Sequence, residues 1–175
     1  KVESNCNVHV RCYKNSEAKF TILFFHGNGE IVSDYNGLAE HFIRFGCEFI
    51  VCDFRGYGRS EGVPTLKSTL IDASTIYCYL RENKILKENV CVMGRSLGSA
   101  SAIELCARFS QITCCIIESG YADPIPLVER RGLKVTNITA AENALFSNSE
   151  KIRLVKCPIL IMHGEMDSLI SPEEA

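Results

Sequence analysis

The five residues Gly94-Arg95-Ser96-Leu97-Gly98 are the part of this sequence best suited to chemistry. They follow the apolar run Val90–Met93 and open a long apolar stretch, which places the serine on a turn between a strand and a helix. Such a turn needs small residues two positions either side of its tip, because a side chain at Gly94 or Gly98 would collide with neighbouring backbone. The bend exposes the Ser96 hydroxyl and aims the helix N-terminus at the oxygen of a reacting carbonyl. G-x-S-x-G alone is weak evidence, and its strand–turn–helix context is what gives it weight.

Two further segments could serve the same chemistry. His26-Gly27-Asn28-Gly29 ends another apolar run. Its glycines let the main chain approach a developing oxyanion closely enough for N–H groups to stabilise it. The N–H groups of Leu97 and Asn28 are the expected donors, with Gly29 as second choice. A plain turn is the alternative; a phosphate loop would need G-x-x-x-x-G-K-[ST] or G-x-G-x-x-G, and neither occurs there. Met162-His163-Gly164-Glu165-Met166-Asp167 follows the last apolar run, where a carboxylate could orient a histidine and stabilise its imidazolium. Asp167 is the expected acid. Glu118 is the alternative acid, with a structural ion pair as its competing explanation. Asp53, before Phe54-Arg55-Gly56-Tyr57-Gly58-Arg59-Ser60, is expected to brace its loop.

These segments must be held by a sheet. Five short apolar runs stand out, at Thr21–Phe25, Phe49–Cys52, Val90–Met93, Cys114–Ile117 and Ile159–Met162. Their continuous apolar character predicts parallel strands covered on both faces. Between them Tyr35, Leu38, Ala39, Phe42 and Ile43 recur at helical spacing, with Gly46 as a stop. Leu66, Leu70, Ala73, Tyr77 and Leu80 mark a second helix after Pro64, and Leu97 to Phe109 reads as a buried one. The alternation predicts one α/β domain over residues 1–175, with a mostly parallel central sheet and helices on both faces. Val8, Val10 and Cys12 alternate with His9, Arg11 and Tyr13, as in an edge strand wetted on one face.

Residues 119–156 break this rhythm with Pro124, Pro126, a Glu129-Arg130-Arg131 cluster and a weak helical stretch near Thr139–Phe146. The segment is a candidate lid, with a solvated connecting helix as the alternative. Arg130 and Arg131 would suit an anionic substrate there, although solvated surface charge is the plainer reading. Asn137-Ile138-Thr139 matches a glycosylation sequon, a tripeptide common by chance.

Composition excludes several classes. Of 175 residues, 46% are hydrophobic and 23% charged, which rules out a disordered chain. The net charge is −2 with no basic block, so nucleic acid is not an expected partner. No apolar run approaches the ~20 residues of a membrane-spanning helix. The ten cysteines lie mostly in strand- and helix-like runs and form no C-x-x-C pair. This fits small buried hydrophobes in a reducing, cytoplasmic compartment better than a disulfide or zinc framework. No metal site and no cofactor are expected.

From Phe20 to Ile170 the sequence resembles an α/β-hydrolase, and within that superfamily the BEM46-like group of serine hydrolases. The resemblance rests on His26-Gly27-Asn28-Gly29, the loop Asp53 to Gly62, Gly94-Arg95-Ser96-Leu97-Gly98, and His163-Gly164 with Asp167, all in the family's order. It implies a Ser96 nucleophile acting on an acyl ester, thioester or amide of a small-molecule, lipid-like or protein substrate. Some relatives remove fatty acyl groups from protein cysteines, and nothing in this sequence selects that activity.

The family order is nucleophile, acid, then histidine. After Asp167 only eight residues remain, none of them histidine. His9, His26, His41 and His163 are poor substitutes, two of them sitting in strand-end turns. The expectation is therefore that a C-terminal strand, helix and catalytic histidine lie beyond this chain. The chain alone should then be nearly inactive, since loss of one triad member costs about four to six orders of magnitude in turnover. Its open sheet edge would favour self-association. A non-catalytic interaction module on the same fold is the competing explanation.

Overall fold

Each of the five apolar runs is a strand, and the alternating N-terminal segment supplies a sixth. The computed structural model describes residues 1–2 and 6–174. Within them lie β1 (Val10–Tyr13), β2 (Phe20–Phe25), β3 (Cys47–Cys52), β4 (Asn89–Arg95), β5 (Cys114–Glu118) and β6 (Ile159–Met162). They form one sheet in the order β1-β3-β2-β4-β5-β6. β1 runs antiparallel to β3, and every other pairing is parallel.

In β2, β3 and β4 the continuous apolar runs follow from burial on both faces, whereas Ile159–Met162 departs from that expectation because, as the last strand of this sheet, its residues are exposed. Leu23 and Phe25 of β2, Ile50 and Cys52 of β3, and Val90 and Val92 of β4 pack into one core with α2 (Leu66–Glu82) and α3 (Gly98–Arg108). Ile22, Phe24, Phe49, Val51, Cys91 and Met93 face the opposite way, toward α1 (Ala39–Arg44). Full burial of such a side chain contributes about 1.5–3 kcal/mol. Six cysteines are buried, four are half-buried, and all ten are free thiols. No helix among the described residues is long and apolar enough to cross a membrane.

α3 is buried from Gly98 to Cys106, as its lack of a polar face predicts. α2 begins at a reciprocal cap in which Thr65 Oγ1 accepts from the Ser68 N–H (3.0 Å) and Ser68 Oγ accepts from the Thr65 N–H (2.9 Å). The first helix departs from its sequence pattern. Val32–Tyr35 forms a 3-10 turn, α1 starts only at Ala39, and Leu38 is 48% exposed. Asp34 caps the 3-10 turn by accepting from the Ile31 N–H (2.9 Å), and Asn36-Gly37 then interrupts the helix.

Between β5 and β6 the chain forms α4 (Pro124–Arg130), α5 (Ala140–Phe146) and α6 (Asn148–Lys151), so the irregular segment is a set of short helices. β6 ends the sheet. Its four residues, Ile159 to Met162, are all exposed.

Candidate active site

The C-terminal ends of the parallel strands deliver the site, as is usual where ligands bind open α/β sheets. Only Ser96 and Leu97 separate β4 from α3. Ser96 has φ +48°, a left-handed conformation that costs an L-residue roughly 1–2 kcal/mol. Its surroundings hold it there. The Ser96 N–H donates to the Glu118 carbonyl (2.9 Å), and the Ser96 carbonyl accepts from the Ser99 N–H (3.0 Å) and hydroxyl (2.6 Å). A Cβ on Gly94 would lie 2.6 Å from the Gly98 carbonyl carbon. One on Gly98 would lie 2.5 Å from the Phe25 carbonyl carbon and 2.9 Å from the His26 oxygen. The missing side chain at Gly98 is therefore what lets the start of α3 rest on the end of β2.

That contact sets the elbow beside His26-Gly27-Asn28-Gly29. The Gly27 N–H is committed to Glu30 Oε2 (2.8 Å). Asn28 and Leu97 both line the cavity that holds Ser96, and Asn28 Oδ1 accepts from the Tyr57 hydroxyl. His26 is fully buried, with Nδ1 2.9 Å from the Gly27 oxygen and Nε2 3.3 Å from Asp53 Oδ1. Asp53 Oδ1 also accepts from the Val32 N–H (2.7 Å), and Oδ2 lies 2.9 Å from His9 Nδ1. Asp53 thus ties β1, the 3-10 turn and the glycine loop together from behind.

Glu118 ends β5 with Oε1 3.7 Å from Arg95 Nε, while Arg95 Nη1 is 3.2 Å from Glu30 Oε1. It is the outer member of an ion-pair chain across three strand ends. Asp167 sits in a loop after β6. Its Oδ1 accepts from the N–H groups of Ile170 and Leu169 (2.9 Å each), and Oδ2 is 3.6 Å from His163 Nε2. Those two N–H groups, foremost that of Ile170, hold the Asp167 carboxyl below its ordinary range against the opposing effect of burial. His163 Nε2 is 2.8 Å from the Ile170 oxygen, which makes the ring a brace for the loop.

These elements surround a cavity of about 480 Å³. Ser96, Leu97 and Asn28 line it directly; Asp167 does not, although Leu169 and Ile170 of its loop do. No histidine among the described residues lines it. Much of the wall is apolar and comes from Pro64 and Leu66 before and in α2, Tyr121, and the α4 residues Leu127 and Val128. The sequence marks residues 119–156, which contain α4, as a candidate lid without singling out that helix, and does not place Tyr57 or Thr65 at the site. The spacing of Pro124, Leu127, Val128 and Arg131 was the available signal, since it puts all four on one helical face.

A family model described as serine aminopeptidase, S33, matches residues 16–142. Human alpha/beta hydrolase domain-containing protein 17B is 36% identical over 166 residues, covering 92% of this chain and 54% of that protein. Protein bem46 of Schizosaccharomyces pombe is 30% identical over 168 residues, covering 92% and 56%. The chain spans about half the length of the curated relatives it matches. Among solved structures, the Pyrococcus furiosus esterase Pf2001 superposes with TM-score 0.78 at 20% identity, covering 98% of this chain and 71% of that one. Est1E from Butyrivibrio proteoclasticus, solved with ferulic acid bound, gives 0.70 at 19% identity, covering 98% and 81%. At such identities the solved structures speak for the fold alone. With most of its length matched by the family model, the chain belongs to the serine aminopeptidase S33 family, as a BEM46-like α/β-hydrolase.

Proposed function

We propose that the protein carrying this chain is a serine hydrolase that cleaves an acyl ester or thioester through an acyl-enzyme. The observation that carries the reading is Ser96, held in a left-handed conformation at the wall of an apolar cavity that Asn28 and Leu97 also line. Strained backbone of this kind persists where its surroundings over-determine it, commonly at active sites. In the proposed reaction Ser96 Oγ attacks the carbonyl carbon, and the N–H groups of Leu97 and Asn28 receive the oxyanion. A histidine from outside residues 1–175 takes the serine proton and returns it to the leaving group. Asp167, kept ionised by its two backbone donors, orients that imidazole and stabilises its charge. Water then hydrolyses the acyl-enzyme, and no metal or organic cofactor is needed.

Glu118 is a weaker choice for the acid because it faces Arg95. The segment 119–156 acts as a lid in this reading, with α4 as the wall that meets the acyl chain. The substrate is a small-molecule or lipid-like acyl compound, or an acylated protein. Treating the full-length protein with a fluorophosphonate probe tests the assignment. Labelling of wild type that disappears in Ser96→Ala is the expected result. A folded wild type that stays unlabelled overturns it and favours a non-catalytic interaction module.

A further inference from the structure

Two adjacent arginines close α4, and their surroundings differ. Arg130 forms an ion pair with Glu174 and donates to the Leu169 carbonyl (3.2 Å). Arg131 also donates to the Leu169 carbonyl (3.3 Å), but no carboxylate among the described residues pairs with it. Arg131 is also the sole ionised side chain among the described residues that line the Ser96 cavity. It continues the face formed by Pro124, Leu127 and Val128, about 10 Å along the helix axis from Pro124 at 1.5 Å per residue. The start of α4 follows shortly after Glu118, whose carbonyl holds the Ser96 N–H. An apolar chain lying along α4 therefore meets one positive group at the far end of that helix.

A guanidinium suits this position. It is planar, always charged, less strongly hydrated than an ammonium, and matches a carboxylate or phosphate with paired donors. One carbonyl acceptor leaves most of its five N–H groups free. We infer that Arg131 forms an anion subsite, which selects ligands whose apolar chain bears a carboxylate or phosphate group distant from the scissile carbonyl. This deepens the serine-hydrolase reading and rests on it for the hydrolytic prediction, whereas the binding prediction stands without it.

Binding is tested first, on the full-length protein, by displacement of a fluorescent fatty-acid probe with dodecyl phosphate, dodecanoate and dodecanol. The anionic ligands should bind about tenfold more tightly than the alcohol, the scale of a charge-assisted hydrogen bond. That preference should vanish in Arg131→Gln, reverse in Arg131→Glu, survive in part in Arg131→Lys, and shrink at high salt. Circular dichroism establishes that each variant is folded. Hydrolysis then locates the anion. One pair of substrates compares the mono-p-nitrophenyl ester of a dicarboxylic acid with a neutral acyl ester of equal length. The other compares a phosphopantetheine thioester with an N-acetylcysteamine thioester of the same acyl group. A wild-type preference for the charged member of one pair, lost in Arg131→Gln, supports the subsite and tells whether it reads the acyl half or the leaving group. Equal binding of anion and alcohol, or a preference that Arg131→Gln leaves intact, overturns it. Hydrolysis without anion preference sinks the subsite and spares the hydrolase; anion-selective binding without any Ser96-dependent hydrolysis does the reverse.

Discussion

Ser96 occupies a conformation that glycine would adopt more easily, which separates stability from chemistry at one residue. Ser96→Gly relieves roughly 1–2 kcal/mol of left-handed strain and adds about 0.5–1 kcal/mol of chain entropy to the unfolded state. Urea denaturation should therefore find it as stable as wild type or slightly more so, with fluorophosphonate labelling abolished. Ser96→Val, β-branched at the same φ, should lose about 2 kcal/mol or more. Asp167 gives a prediction in pH. Its folded pKa is lowered by the N–H groups of Ile170 and Leu169, so its contribution is present above the ordinary carboxylate value of about 4 and lost as pH falls through the lowered one. The stability difference between wild type and Asp167→Asn should be largest near neutrality and close in acid, as urea titrations across pH would read. Gly94, Ser96 and Gly98 were legible in the sequence because one tight turn constrains all three. Tyr57 was not, because its place at the cavity depends on contacts with residues far away in the chain. Arg131 was legible only as a residue suited to an anionic substrate near a candidate lid, with solvated surface charge as the plainer reading.

At the level of elements, the strands were the most legible feature, since burial on both faces leaves an unbroken apolar run in each of β2 to β5. The start of α1 was not, because Asp34 and Asn36-Gly37 act locally against a periodicity that spans them. Residues 119–156 were hard to read for a different reason. α5 has no buried residue, and the one buried residue of α4 is Leu127, so neither shows a wide apolar stripe. α2 links an element's stability to the site, since its cap residue Thr65 and its first residue Leu66 both line the cavity. Thr65→Ala removes the hydroxyl that caps Ser68 and should cost about 1 kcal/mol in thermal or urea unfolding. Thr65→Ser, which keeps the acceptor, should recover most of that loss.

For the whole molecule, the asymmetry of the sheet matters most. β1 closes one side as a short antiparallel strand, whereas β6 leaves Ile159, Leu160, Ile161 and Met162 exposed on the other. A parallel strand with an open, apolar edge is a template for another chain. Residues 1–175 prepared alone should self-associate with rising concentration in light scattering, and Ile161→Lys should shift them toward monomer without lowering helical content. The same strand carries the loop of Asp167, Leu169 and Ile170. Among the described residues β6 pairs with β5 alone, and its loop is tied to α4 through buried Ile170 and the Leu169 carbonyl, which accepts from Arg130 and Arg131. Local units whose strand is exposed, as β6 is, open at a lower free energy than the buried centre of a sheet. An excursion of β6 would carry Asp167 and part of the cavity wall away while Ser96, Leu97 and Asn28 stayed in place. In residues 1–175, heat or mild denaturant would then open this side of the cavity reversibly, with the rest of the sheet still folded.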